Sequence, residues 1–300
     1  MKKALITALL LSGGLLAQAQ LLEVVSTQHV KLPQGYRVEQ ANVSPDGTYA
    51  IVSSMSGEGL TKIDLQSGQT SLLSEKGSNY DLRFTPDSRY IVYREASTGP
   101  DHKRLVSVKS TDVLTKKTVT VAEPSREIQA IDVQGSLATA IDGGKRKARQ
   151  LGNLNVEERP VLSIDHAQLC ITRKGETKVL SPLGTQGKSY IWQSLSPDAS
   201  KIVFVVVGEG CYTCNVDGTN VQSLGILRAP VWYDNNTIVG MVNESNGYVV
   251  TRSEIVATNV DGSVRQTLTT PDLVATYPSA STGKISFTTT EGEMYILNLK

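Results

Sequence analysis

Runs of apolar residues in this chain are short, rich in β-branched side chains and separated by turn residues at regular distances. The run Ile202 to Val207 (Ile-Val-Phe-Val-Val-Val) is continuous rather than alternating, as expected of a strand covered on both faces. Such runs sit inside a repeated phrase. Ala41 to Val52 reads strand, turn, strand around Ser44-Pro45-Asp46-Gly47, and Leu82 to Tyr93 repeats it 41 residues later around Thr85-Pro86-Asp87-Ser88. A third copy, Gln193 to Phe204, turns at Ser196-Pro197-Asp198-Ala199. Proline at the second position presets φ for a tight turn, and the hydroxyl and carboxylate on either side can cap its amides.

A second marker follows these copies. Thr61 to Gly68 leads into Thr70 to Leu73, Tyr212 to Gly218 into Val221 to Leu224, and Val256 to Gly262 into Arg265 to Leu268. Cys170 to Gly175 before Lys178 to Leu180 is the same phrase in weaker form. Asp-Gly between two apolar runs is a strong hairpin signal. Together the markers give four strands per unit of about 40 residues, the arithmetic of a β-propeller blade.

The expected fold class is therefore all-β, a propeller of four-stranded blades. Counting units gives six, with seven the alternative. Units start near Tyr36, Asn79, Ile128, Tyr190, Ala229 and Ala275. The last unit holds only three strands, and its fourth is expected from Val24 to Leu32, which would close the ring without an open edge. A segment at about 142–160 is expected to be an insertion in the third unit.

Residues 1–19 differ from the rest. Lys2 and Lys3 precede an apolar stretch from Ala4 to Leu16, and Ala17-Gln18-Ala19 supplies small residues where a signal peptidase reads. This is the layout of a secretory signal, too short for a comfortable membrane span. An uncleaved anchor is disfavoured by that length, and cleavage after Ala19 leaves a mature chain from Gln20 expected in the periplasm or outside the cell. No later apolar stretch reaches membrane length, so no membrane insertion is expected after cleavage. The whole chain has 30 basic and 29 acidic residues, which gives no reason to expect a nucleic-acid partner.

Candidate chemistry is sparse. Cys211 and Cys214 have redox-pair spacing, but in a strand, positions three apart face opposite sides, so packing roles are expected for both. Cys170 and Cys214 are expected in equivalent third strands of different blades. His29, His102 and His166 fall in edge, loop or insertion-flanking contexts, with no nucleophile elbow or metal-binding His pair. Asp46, Asp87 and Asp198 recur in one turn, so turn formation accounts for them. No catalytic residue, cofactor or metal ligand is therefore assigned. The one basic cluster is Lys145, Arg146, Lys147 and Arg149, the candidate partner contact, with Glu157 and Glu158 close behind.

The Ser/Thr-Pro-Asp turns resemble the WD40-like repeats of the TolB propeller family. The resemblance covers nearly the whole mature chain and is specific in three units, at Pro45/Asp46, Pro86/Asp87 and Pro197/Asp198. It implies a six-bladed ring whose faces or channel contact other envelope proteins. No N-terminal α/β domain of the TolB kind is expected, because strands begin almost at the cleavage site. Two functions follow as expectations: a monomeric, non-catalytic module that contacts an envelope protein or a glycan, or a metal-dependent hydrolase of the six-bladed lactonase type. The second would draw channel ligands from the innermost-strand residues Glu39, Asn42, Asp81, Arg83, Asp132 and Gln193, of which only three are acidic and some are turned away from the channel by strand alternation.

Overall fold

A computed structural model describes residues 20–55, 59–156 and 158–300. The proposed signal, residues 1–19, and Glu157 lie outside the described residues. Strand β1 (Val24–Val30) is followed by seven sheets in chain order. Blade 1 is β2 (Val38–Val43), β3 (Tyr49–Ser54), β4 (Leu60–Asp64) and β5 (Thr70–Ser74). Blade 2 is β6 (Gly77–Phe84), β7 (Tyr90–Thr98), β8 (Arg104–Asp112) and β9 (Thr118–Ser125). Blade 3 has three strands, β10 (Ile128–Gln134), β11 (Leu137–Asp142) and β12 (Lys145–Gln150). Blade 4 also has three, β13 (Val161–Asp165), β14 (Gln168–Arg173) and β15 (Glu176–Val179).

Blade 5 is β16 (Tyr190–Leu195), β17 (Lys201–Val206), β18 (Gly210–Asn215) and β19 (Gln222–Gly225). Blade 6 is β20 (Arg228–Trp232), β21 (Thr237–Ser245), β22 (Val250–Asn259) and β23 (Arg265–Thr267). Blade 7 is β24 (Ala275–Ser281), β25 (Lys284–Thr289) and β26 (Met294–Leu299), with β1 paired antiparallel to β26 as its outermost strand.

The expected propeller is present, but with seven blades instead of six. The extra blade is blade 4. It has no Ser/Thr-Pro-Asp turn, and its first hairpin turns through His166 and Ala167 at φ 45° and 63° in place of a glycine pair. Its strands are only five, six and four residues long. The expected insertion at about 142–160 contains β12, a regular third strand in register with β11 from Leu137↔Gln150 to Asp142↔Lys145. The basic cluster therefore lies on a strand. Cys170 sits on β14, the second strand of its blade, while Cys214 sits on the third strand of blade 5.

The core is divided among the seven blade interfaces, because each sheet is apolar on both faces. Blade 7 packs on blade 1 through Met294, Ile296, Val38, Ala50 and Val52. Blades 1 and 2 meet at Tyr49, Ile51, Leu60, Ile91 and Tyr93. By contrast, among the described residues the buried apolar cluster between blades 3 and 4 is limited to Ala130, Ile141 and Val161.

The three Ser/Thr-Pro-Asp turns share one bonding scheme. Ser44 Oγ donates to Asp46 Oδ1 at 2.6 Å, and that oxygen also accepts the Thr48 amide at 3.0 Å. Thr85 with Asp87, and Ser196 with Asp198, repeat the hydroxyl contact at 2.6 Å. Two of the turns also grip the next blade: the Asp46 amide donates to Ser88 Oγ at 3.0 Å, and the Asp198 amide to Asn235 Oδ1 at 3.0 Å. The hydroxyl of Ser196, then the amide and hydroxyl of Ser200, lower the pKa of Asp198 to about 2. Burial pushes Asp46 up, but the hydrogen bonds from Ser44 and Thr48 outweigh it, and its net shift is downward. These carboxylates fasten their own turns, and the backbone amides of Asp46 and Asp198 tie those turns to the next blade.

Candidate functional site: the central channel

The innermost strands β2, β6, β10, β13, β16, β20 and β24 enclose a channel of about 730 Å³, within the range of small-molecule sites. Six of the seven do not pair evenly with their second strands. Their registers slip between Val38 and Gln40, Ser78 and Arg83, Ile128 and Ala130, Ile191 and Ser194, Arg228 and Val231, and Thr276 and Ser279. Bulges of this kind re-aim side chains. In four blades the slip holds a non-glycine residue in the left-handed region: Asp81 (φ 61°), Trp192 (51°), Ala229 (45°) and Tyr277 (48°). Asp81 and Trp192 each lie four residues before the turn hydroxyl, at Thr85 and Ser196, whereas Gln40, at the same place in blade 1, is not left-handed. Such conformations cost on the order of 1 kcal/mol each and concentrate at functional sites.

The channel has two unlike sides. Blades 1 to 3, with the segment leading into β13, supply Glu39, Gln40, Asn42, Asp81, Arg83, Arg94, Asp132 and Arg159. Blades 4 to 7 supply Leu162, Ile164, Ile191, Trp192, Val231, Trp232, Tyr277 and Pro278, a largely apolar wall carrying three of the four channel-facing aromatic side chains besides Tyr190. The fourth, Tyr80, stands on the polar side and is 61% exposed.

Apart from the exposed Glu39, the charges of the polar side are engaged with one another. Asp81 accepts from Arg83 and from Arg94 Nη2 at 3.2 Å, and Arg94 Nη1 reaches across the blade boundary to Ile128 O at 3.0 Å. Asp132 accepts from Arg159 Nη2 at 3.2 Å, which also donates to Val133 O at 2.8 Å. Asn42 donates to Asn79 Oδ1 at 2.8 Å, and Asn79 donates back to Gln40 O at 2.8 Å. Three carboxylates (Glu39, Asp81, Asp132) face three guanidinium groups (Arg83, Arg94, Arg159), so the wall is rich in fixed donors and acceptors yet balanced in charge. Across the channel Trp232 Nε1 donates to Ser194 O at 3.2 Å, which fixes its ring.

All six innermost-strand candidates, Glu39, Asn42, Asp81, Arg83, Asp132 and Gln193, line this cavity, including those that strand alternation was expected to turn away from it. Sequence reasoning missed Arg94 and Arg159. The first reaches in from a second strand and the second from the linker before β13, so inner-strand alternation could not find them. It also missed Tyr80, Trp192, Trp232 and Tyr277. The available signal was an aromatic residue four or five positions before the turn, as at Tyr80 and Trp192.

The other candidates stand apart. Cys211 packs between blades 5 and 6 and Cys214 between blades 4 and 5, on opposite sides of one strand. Burial pushes both thiols up to about 12. His29 stacks on Tyr295 at 4.8 Å on the outer rim, His102 lies in the β7–β8 turn, and His166 is 94% exposed beside Asp165. None of the three lines the channel. Lys145, Arg146, Lys147 and Arg149 are at the perimeter on β12, also away from it.

No family model matches the chain, and no curated protein matches it. Solved structures do. It is similar to an oligogalacturonate lyase in complex with manganese, at 14% identity over 90% of this chain and 79% of that one, TM-score 0.51. It is similar to TolB from Acinetobacter baumannii at 17% identity over 79% of this chain and 55% of that one, TM-score 0.53. It is also similar to a chain of the mitotic checkpoint complex, at 10% identity over 92% and 95%, TM-score 0.60. At these identities the likeness is one of fold: the chain is a β-propeller similar in architecture to TolB and to the lyase.

Proposed function

We propose that this chain is an exported, non-catalytic binding propeller whose central channel takes a neutral saccharide. The observation that carries the reading is the two-sided channel. Sugar rings present an apolar C–H face and a polar edge of hydroxyl groups. Trp192, Trp232 and Tyr277 offer surfaces for the first. The Asp81–Arg94 and Asp132–Arg159 pairs, with Gln40 and Asn42, offer planar donors and acceptors for the second. Because the channel charges balance, a strongly charged guest gains little there, whereas a polyhydroxyl guest can use every fixed dipole. The same pairing opposes the metal-hydrolase alternative, since a cation at Asp81 or Asp132 would have to displace an arginine.

The chain contains only two tryptophans, and both line the channel, so their fluorescence reports its occupancy. A titration with a neutral gluco-oligosaccharide is expected to give a saturable change that weakens at least tenfold in Trp192→Ala. Oligogalacturonate, named for one of the similar structures, should bind more weakly than the neutral sugar and remain uncleaved. No saturable change with either saccharide would refute the reading, and metal-dependent lactone hydrolysis would replace it with the hydrolase alternative. Export is tested separately: N-terminal sequencing of the mature protein should begin at Gln20.

A further inference from the structure

The perimeter of blade 3 differs from that of its neighbours. Five blades end in a fourth strand, but blade 3 ends at β12. After β12 the chain does not turn to cover it. The Leu151 amide donates to Ser136 O at 2.8 Å, Ser136 Oγ donates to Leu154 O at 2.9 Å, and Gln134 Nε2 donates to Arg159 O at 2.8 Å. The segment thus passes under the β10–β11 turn on its way back to the channel. Among the described residues no strand pairs with the outer side of β12.

The hydrogen-bonding capacity of that edge follows from its hairpin. Gly143 and Gly144 make a two-residue turn with φ 54° and 74°, so the flanking residues Asp142 and Lys145 form a hydrogen-bonded pair. Alternation then directs the backbone of Lys145, Lys147 and Arg149 to β11. The N–H and C=O groups of Arg146, Ala148 and Gln150 face outward. An added strand of about six residues would match this edge.

The side chains give the edge its sign. Four cations occur within five positions, and Lys145, Lys147 and Arg149 are exposed. Among the described residues no carboxylate pairs with any of the four. Arg149 Nη1 donates to Thr120 O at 2.7 Å and Arg146 Nη2 to Gln134 Oε1 at 3.1 Å, which hold two of the chains in place. Lysines on an open edge repel a second copy of the same edge. They attract a strand of opposite charge, so one feature supplies both exclusion and preference. The other three-stranded blade offers less: β15 is four residues long, with Glu176 and Lys178 of opposite sign.

We propose that β12 is a docking edge for an acidic, extended segment of a partner protein, which adds to blade 3 as its fourth strand. Main-chain hydrogen bonds supply the pairing, and carboxylates at alternate positions meet Lys145, Lys147 and Arg149. This site is independent of the channel.

The test uses the mature protein and a fluorescent seven-residue peptide, Glu-Thr-Glu-Val-Glu-Thr-Glu, read by anisotropy. Two control peptides carry Lys for Glu, or N-methyl groups on one edge of the backbone. The acidic peptide is expected to bind, and each control to bind at least tenfold more weakly. Binding should slow hydrogen exchange at the Arg146, Ala148 and Gln150 amides but leave Lys147 unchanged. Ala148→Pro keeps every charge while removing one outward donor, a change that edge strands tolerate, and should weaken binding at least tenfold. Equal binding of the N-methylated peptide, or exchange unchanged at the three outward amides of the unmutated protein, would overturn strand addition in favour of simple charge attraction. Absence of binding overturns the proposal outright. Tryptophan fluorescence in the saccharide titration should not respond to the peptide, so the two sites fail or succeed separately.

Discussion

Removing the Ile141 side chain should open the ring at one place. The interface between blades 3 and 4 contains Ala130, Ile141 and Val161 as its buried apolar cluster, and Ile141 is fully buried. Strand alternation places Thr139 and Ser163 on the same seam, and their hydroxyl oxygens are buried with no hydrogen-bond partner. Elsewhere the interfaces are built from larger groups, such as Tyr190 and Phe204 between blades 4 and 5. Ile141→Ala therefore deletes the largest side chain of the weakest seam. A fully buried isoleucine cut to alanine costs roughly 2–4 kcal/mol, the upper end applying where the surroundings cannot collapse. Stiff strands on both sides favour that end. Converted at about 1.4 kcal/mol per tenfold, the loss corresponds to a roughly 30- to 1,000-fold fall in protection where local opening governs exchange. Native-state hydrogen exchange with peptide-level readout would measure it. The fall should concentrate in 128–150 and 161–179, with much smaller changes in blades 1, 6 and 7. A uniform fall across all seven blades would refute the reasoning, because it would mean that the ring opens as one unit and the seam is not separately weak.

Three other perturbations follow from the same contacts. Asp198 and Asp112 both have a pKa of about 2 in the folded state, Asp112 because hydrogen bonds from Arg89 and the Leu114 and Thr115 amides outweigh the burial that pushes it up. A depressed carboxylate stabilises the fold above its ordinary value of 3.8, and that contribution is lost as pH falls toward about 2; the thermal midpoint should drop across this window, and Asp198→Asn should make the drop shallower. Cys170, Cys211 and Cys214 are buried, and burial raises all three thiol pKa values; a thiol reagent at pH 8 should label none of them in the native protein and all three after denaturation. Asp81→Asn leaves Arg94, only 17% exposed, without its counter-charge; a loss of about 1–3 kcal/mol in denaturant unfolding is expected, and Arg94→Met in the same chain should recover part of it.

What the sequence conveys about this fold is carried by turn chemistry. Ser44, Thr85 and Ser196 announce their blades because a hydroxyl, a proline and a carboxylate are needed together to close the same turn. Blade 6 makes a related turn with Asp234, whose carboxylate accepts the Asn236 and Thr237 amides at 2.7 Å, without the proline. Blade 4 turns through His166 and Ala167, residues that carry no turn signal of their own, so only its second hairpin, at Cys170 to Gly175, is legible and the count falls to six. The basic cluster falls in the segment expected to be an insertion, whereas Gly143-Gly144 is a hairpin turn and Lys145 to Gln150 is a strand. A strand whose outer face and edge both meet solvent has no apolar pattern to reveal it.

The channel shows why a site of this kind is only half legible. Inner-strand polar residues could be named from the strand pattern, and all six are on its wall, although alternation predicts that some face away. Its electrostatic character depends on groups outside that count. Arg94 comes from a second strand and Arg159 from a linker, and together with Arg83 they turn a row of carboxylates that would suit a cation into a neutral, hydrogen-bonding wall. Without them Asp81 and Asp132 would read as metal ligands; with them, the same carboxylates hold guanidinium groups in fixed orientation toward the cavity. The strained backbone at Trp192 and Tyr277 is likewise invisible in the sequence, because neither residue favours φ near 50°. Both conformations persist because the bulge that demands them recurs around the ring, and their effect is to deliver two aromatic rings to the apolar side of the cavity. The functional character of this channel is thus a property of neighbouring blades acting on one another, which no single repeat contains.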